Sequence, residues 1–229
     1  MEWNVKRAET EIGGFSNPAK MPCKSWSTPA SKCILGAKLQ QVKGSTCSGC
    51  YAMKGCYTFK STVNATQRRF ERITEALNDS KSAERFISAF AFALNFRSKR
   101  TPYFRWHDAG DLQSAEHLRI ICAIAARTPG VAHWLPTREA GIVREFLNHG
   151  GYIPHNMVVR LSTPMVDGVP TGILQGLAIS HPRVALSGVH SPEENPAFGE
   201  SCIAYTQDGE CRDCRACWDP QRDISYPKH

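Results

Sequence analysis

Four cysteines within sixteen residues, Cys202, Cys211, Cys214 and Cys217, are spaced C-x8-C-x2-C-x2-C and constrain this chain more than any other feature. Two-residue gaps carry neighbouring thiolates to the same side of a tight turn, so such a run converges on one inorganic centre. The C-x2-C-x2-C run is the spacing of cubane iron-sulfur sites, whereas zinc favours two separated C-x2-C pairs. A 4Fe-4S cluster is the first reading of the segment, structural zinc the alternative, and uncoordinated buried thiols the third. Arg212 and Arg215, lying between the ligands, would offset part of the charge of four thiolates.

A second group lies near the start of the chain. Cys47, Cys50 and Cys56 are spaced C-x2-C-x5-C, with Cys33 and Cys23 upstream and Gly44, Gly49 and Gly55 permitting tight backbone. A closed site needs four thiols and an open one three, so one or two clusters are expected, the second drawing on Cys33, Cys47, Cys50 and Cys56. Cys122, within Ile120-Ile121-Cys122-Ala123-Ile124, reads as a core residue. The start of the chain has no apolar segment leading to a small-residue cleavage site, so the expected compartment is the cytoplasm. There, thiols serve metals more often than disulfides. The longest apolar candidate, Phe86 to Phe96, has eleven residues, short of the roughly 20 that span a bilayer, and no membrane association is expected. Lys and Arg outnumber Asp and Glu by 28 to 21, which favours an anionic partner.

The first sixty residues show neither helical period nor strand alternation and read as a loop-dominated, cysteine-rich cap. Helical spacing begins at Val63, with a second helix over Ser82–Asn95. Strands are then predicted at Tyr103–His107, Val131–Pro136, Met157–Leu161 and Val184–Ser187, alternating with helices over Ser114–Arg127, Glu139–Asn148 and Ile173–Ile179. Alternation of this kind implies an α/β fold with a parallel sheet, either open or curled into a partial (β/α) barrel. Residues 1–60 form the cap, 61–200 the core and 201–229 a cysteine-rich terminal loop of one domain.

Ligands of such sheets bind beyond the carboxyl ends of the strands. Arg105-Trp106-His107-Asp108, Pro136-Thr137-Arg138-Glu139 and Arg160-Leu161-Ser162-Thr163 occupy those positions. Arg105, Arg138 and Arg160 are therefore candidate anion-binding groups, and His107, Asp108 and Asp111 candidate acid-base groups. The plainer alternatives are surface ion pairs for the arginines and turn-shaping roles for His107, Asp108 and Asp111.

The strings Thr46-Cys47-Ser48-Gly49-Cys50-Tyr51-Ala52 and Arg105-Trp106-His107-Asp108-Ala109-Gly110-Asp111, with the ending Cys211-x2-Cys214-x2-Cys217-Trp218, resemble the phage-encoded "gene product 88"-like family over most of the chain. The C-x2-C-Tyr-Ala element is also similar to that of phage proteins related to radical S-adenosylmethionine enzymes. The resemblance implies an iron-sulfur protein on a partial barrel, from a phage or prophage. The radical enzymes carry C-x3-C-x2-C, which occurs nowhere in this chain. S-adenosylmethionine thus enters only if Cys33, Cys47 and Cys50 converge on an open site.

Three functions compete. The first is an iron-sulfur enzyme or redox protein acting on an anionic substrate. The second is a nucleic-acid-processing protein, nuclease-like, with a structural cluster; His107, Asp108, Asp111 and Glu139 would hold a divalent cation, and Trp26, Tyr51, Tyr57, Trp106 and Trp134 are candidate base-stacking rings. The third is a zinc-stapled binding module. Oligomeric state is not legible.

Overall fold

Phe104 and Trp106 are fully buried on one side of a strand while Tyr103 and Arg105 point to the other, the period of two that sets every strand of this fold. The computed structural model describes residues 2–228. Seven strands, β1 (Lys24–Trp26), β2 (Tyr103–Trp106), β3 (Ala132–Thr137), β4 (Met157–Val166), β5 (Val184–His190), β6 (Glu200–Ser201) and β7 (Ile224–Pro227), form one sheet in the order β1-β2-β3-β4-β5-β7-β6. Every pairing is parallel and the sheet is open. The expected α/β class is observed, as an open sheet and not a closed barrel.

The helices are α1 (Val5–Glu11), α2 (Leu35–Leu39), α3 (Lys60–Asn78), α4 (Ser80–Arg97), α5 (Ala115–Ala126), α6 (Ala140–Asn148) and α7 (Ile173–Ser180). Residues from α1 and α3 to α7, among them Ile73, Phe90, Leu118, Val143 and Leu174, share one core with Phe104, Leu135, Val159 and Leu186 of the sheet. Helix starts follow capping chemistry. The Asp79 carboxylate accepts from the backbone N–H groups of Lys81 and Ser82, and the Ser114 hydroxyl accepts from that of His117. No helix among the described residues is long and apolar enough to cross a membrane.

The opposite face of the sheet has its own smaller core of Cys23, Trp134, Cys217 and Trp218, packed with Met21, Tyr103 and Tyr226. The cysteine-rich terminal segment is thus laid over this face. Two expectations need correction. The first sixty residues supply α1, α2 and the edge strand β1, and the final segment supplies β6 and β7. β1, β6 and β7, of two to four residues with serine among them, carry too little apolar alternation to read as strands, and they exist because neighbouring strands pair with them.

Candidate cysteine centres and the rim between them

The residues between β1 and α3 lie across the carboxyl ends of the central strands, and hydrogen bonds fix them there. The Leu35 N–H donates to Glu139 Oε1 at 2.7 Å beyond β3, and the Thr46 N–H to the Pro164 carbonyl at 2.9 Å in β4. The Val166 N–H donates back to the Gly44 carbonyl at 3.0 Å. At β2 the Tyr51 hydroxyl donates to the Asp108 carbonyl at 2.6 Å and the Tyr57 hydroxyl to Asp108 Oδ2 at 3.2 Å. Gly110 makes one further close approach possible. Its φ is 78°, and an added Cβ would overlap the Thr28 hydroxyl.

This anchoring folds Cys33 back towards Cys47 and Cys50. A methyl group at Gly36 would meet both the Cys33 sulfur, at 3.6 Å, and the Cys47 sulfur, at 3.8 Å. Burial pushes the Cys33 thiol up to about 12, and the charges of Asp111, Cys50, Cys47 and Glu139 act in the same direction. Burial also raises Cys47, against the opposing Arg138 guanidinium, with Cys50 adding to the rise. Cys56 is exposed, in the next turn of chain.

The terminal thiols form a second neighbourhood. Burial raises Cys202, Cys211 and Cys217; Cys202 is also raised by Cys211 and Cys214, Cys211 by Cys217 and Cys214, and Cys217 by Cys202. Cys23 stands with this group and not with the cysteines that follow it in sequence. Burial pushes it up to about 12, Arg105 opposes, and Cys211 adds to the rise. The thiols that burial raises, Cys33 and Cys47 in one group and Cys23, Cys202, Cys211 and Cys217 in the other, are protonated at neutral pH without metal, so metal loading at them releases protons.

Among the described residues, no group of three or more His, Cys, Asp or Glu side chains is arranged to hold a metal ion. This bears first on the divalent cation expected at His107, Asp108, Asp111 and Glu139, whose oxygens are otherwise engaged. Asp111 accepts from the Leu112 N–H and the Thr137 hydroxyl on one oxygen and from the Arg138 N–H on the other. Burial still raises its pKa against those bonds. Asp108 accepts from Ser25 at 2.6 Å, from Ser27 and from Tyr57. A tetrahedral zinc with bonds of about 2.3 Å draws its sulfurs to within about 4 Å of one another. A cubane is a larger body whose ligand sulfurs stand farther apart, and the donor chemistry of an all-thiol neighbourhood suits it.

The three arginines have separate fates. Arg105 lies 4.6 Å over the Trp134 ring, and its Nε has no partner. Burial disfavours its charge, but Tyr51, Asp108, Tyr226 and Tyr57 more than offset this and raise its pKa. Its charge also reaches Cys23, Cys202, Cys211 and Cys217, so it stands beside the terminal thiol group, while Tyr51, next to Cys50, is among the groups that act on it. Arg138 donates to the Thr163 carbonyl at 2.5 Å and lowers Cys47. Arg160 is wholly buried. Its Nη1 donates to the carbonyls of Leu186 and Arg222 and its Nη2 to those of Ala216, Cys217 and Asp219, at 2.7–3.3 Å. It clamps the cysteine-rich terminal segment to the sheet.

His107 has φ 49°, a conformation few non-glycine residues adopt. Its ring is buried 5.4 Å from that of His117, with neither nitrogen hydrogen-bonded. Burial, then the Arg105 charge, holds it down at about 3, so the imidazole is neutral. Trp26, Trp106 and Trp134 are buried, whereas the Tyr51 ring is half exposed. The sequence reading missed Ser25 and Ser27 as partners of Asp108. Their one signal is polar residues alternating about Trp26 at the end of β1.

The Gene product 88 family model matches residues 2–220. The chain belongs to the Gene product 88 family. No curated protein and no solved structure matches it. All ten cysteines fall inside the span matched by the Gene product 88 model, so both thiol neighbourhoods are features of the region that defines membership.

Proposed function

We propose that this protein is an iron-sulfur protein that acts on an anionic substrate at the carboxyl-end rim of its sheet. Cys33, Cys47 and Cys50 would hold a cluster with one iron left open, and Cys202, Cys211, Cys214 and Cys217 would hold a closed one. What supports the reading is that the fold brings the Cys33 and Cys47 sulfurs to the same side of Gly36, beside Cys50, and gathers the four terminal cysteines in a second neighbourhood next to Arg105. An open iron supplies a Lewis-acid or one-electron centre, for which S-adenosylmethionine is one candidate ligand.

The chain's own residues do the rest. Arg105 keeps its charge under burial and has an N–H to spare, which suits it to an anionic group. Arg138 holds positive charge beside Cys47. Asp108, fixed by Ser25, Ser27 and Tyr57, is the carboxylate that acts on Arg105.

Iron, sulfide and zinc analysis of anaerobically purified protein tests the proposal. The expected result is about four irons and four sulfides per cluster, with broad visible charge-transfer absorbance. Zinc without iron, or protein free of both metals, would overturn it.

A further inference from the structure

Residues 12–70 contain nine Lys and Arg residues and no Asp or Glu. The remaining 170 residues carry 19 basic against 21 acidic groups, so the excess positive charge of the chain lies in this one stretch. It is also the stretch that presents Cys33, Cys47 and Cys50. Lys32, Lys38, Lys43, Lys54 and Lys60 are all exposed, and none of the eight ion pairs among the described residues engages them. By contrast, Arg85, Arg97, Arg119 and Arg127, on the helical side, are each matched to a glutamate. A cationic surface left unneutralised in this way favours an anionic partner with repeated charges.

Rings accompany the charges. Phe59 is 63% exposed and Tyr51 49% exposed, the latter with its hydroxyl tied down to Asp108 and its ring edge-on to Tyr57. The chain neighbours of both rings, Ala52 and Thr58, line a half-enclosed cavity of about 230 Å³ together with Pro29, Ala30, Met53, Tyr57 and Val63, among others. Lys32, Lys54 and Lys60 lie within two residues of lining positions Ser31, Met53 and Thr58. Cavities that engulf drug-sized ligands run to roughly 300–1,000 Å³. This one therefore suits a single flat ring system, with the rest of the partner outside against the lysines. Stacking rings interleaved with unpaired cations are the chemistry that holds unpaired bases and their phosphates.

We propose that the surface over residues 29–63 binds single-stranded nucleic acid and presents it to the rim between the thiol groups. The inference rests on the proposed function for the identity of that rim as a reaction site, and it names the substrate class.

The test is fluorescence anisotropy of the full-length, anaerobically purified protein with labelled mixed-sequence 20-mers: single-stranded DNA, single-stranded RNA and the DNA duplex. Binding to a single strand, DNA or RNA, is expected to be tighter than to duplex and to weaken steeply with salt. The triple variant Lys32→Ala, Lys54→Ala, Lys60→Ala should bind at least tenfold more weakly and lower the salt slope by about 2, since each single-strand phosphate contact contributes about 0.7. Phe59→Ala should weaken binding at least about fivefold. The comparison variant Lys6→Ala, Lys81→Ala, Lys99→Ala, altered at exposed lysines on other elements, should bind as the parent does. Absence of binding at low salt, equal or tighter binding to duplex, or equal losses in the two triple variants would overturn the inference. Iron content measured on the same samples separates the two ideas: iron without binding sinks only the nucleic-acid inference, and binding without iron sinks only the cluster.

Discussion

The Tyr51 hydroxyl donates a 2.6 Å hydrogen bond to the Asp108 carbonyl, joining the turn that follows Cys50 to the end of β2 across 57 residues of chain. Through this bond the position of one candidate ligand depends on the conformation of the His107–Asp111 turn. Tyr51→Phe removes the bond and keeps the ring. The expected cost is about 1 kcal/mol of stability in chemical denaturation. Hydrogen exchange should show the loss of protection concentrated in residues 44–58, with β3 to β5 unchanged. A uniform loss across the sheet would mean that the bond does not anchor the loop.

The thiols of each neighbourhood act on one another, Cys33 with Cys47 and Cys50, and Cys202 with Cys211 and Cys214, and the two should lose iron independently. Cys214→Ala is expected to remove about half the iron, and Cys50→Ala the other half, each leaving one cluster intact. Cys56→Ser and Cys122→Ser should retain the full complement. If Cys56→Ser costs as much iron as Cys50→Ala, the three-thiol assignment is wrong.

Arg160 supplies hydrogen bonds to five buried or part-buried carbonyls. Arg160→Met keeps much of the volume and leaves those acceptors unsatisfied, each at a cost of about 1–3 kcal/mol unless water reaches it. The expected result is at least about 3 kcal/mol of destabilisation, with proteolytic cleavage appearing first between residues 200 and 222. Arg105→Met breaks no such set of bonds and should leave the terminal segment resistant to cleavage.

Buried histidines make the fold acid-sensitive. Burial holds His107 and His133 at about 3 and places His117 well below its ordinary value. The unfolded chain binds protons at His107 and His133 from about pH 6.5 downwards, while the folded chain does not until about pH 3, and His117 acts in the same direction. Stability is therefore complete above about pH 7 and falls progressively from about pH 6.5 to pH 3. His107→Asn, which tolerates the positive φ, should flatten part of this slope. Denaturation midpoints at pH 7.5, 6, 5 and 4 would measure it, and parallel curves for parent and variant would remove His107 from the account.

Much of the core was legible because its signals are local. Ser114 announces its helix by the side-chain cap it makes, and the β3 to β5 strands are apolar runs that end at polar rims. β1 and β7 were not legible, since Lys24-Ser25-Trp26 and Ile224-Ser225-Tyr226-Pro227 acquire strand geometry only by lying beside β2 and β5. At the site, Cys47 and Cys50 declare each other through their spacing. The approach of Cys33 depends on bonds from Leu35 to Glu139 and from Thr46 to Pro164, which join residues more than a hundred positions apart. The burial of Arg160 has a local signal. Val158, Val159 and Leu161 form a continuous apolar run around it, the mark of a strand covered on both faces. An arginine inside such a run is enclosed by protein and not presented at a rim.

Because every strand runs in the same direction, the loop bearing Cys33, Cys47 and Cys50 and the His107–Asp111 turn gather at one edge of the sheet, and the opposite edge is left with short connections. Residues 98–102, 127–131, 149–156 and 181–183 enter β2, β3, β4 and β5 from that edge, and Gly130, Gly150, Tyr152 and His155 among them are exposed. An affinity tag, a fluorescent reporter or a whole second domain spliced into the 149–156 connection would sit remote from Cys33, Cys47 and Cys50, and it is the natural handle for immobilising the protein with its carboxyl-end rim outward.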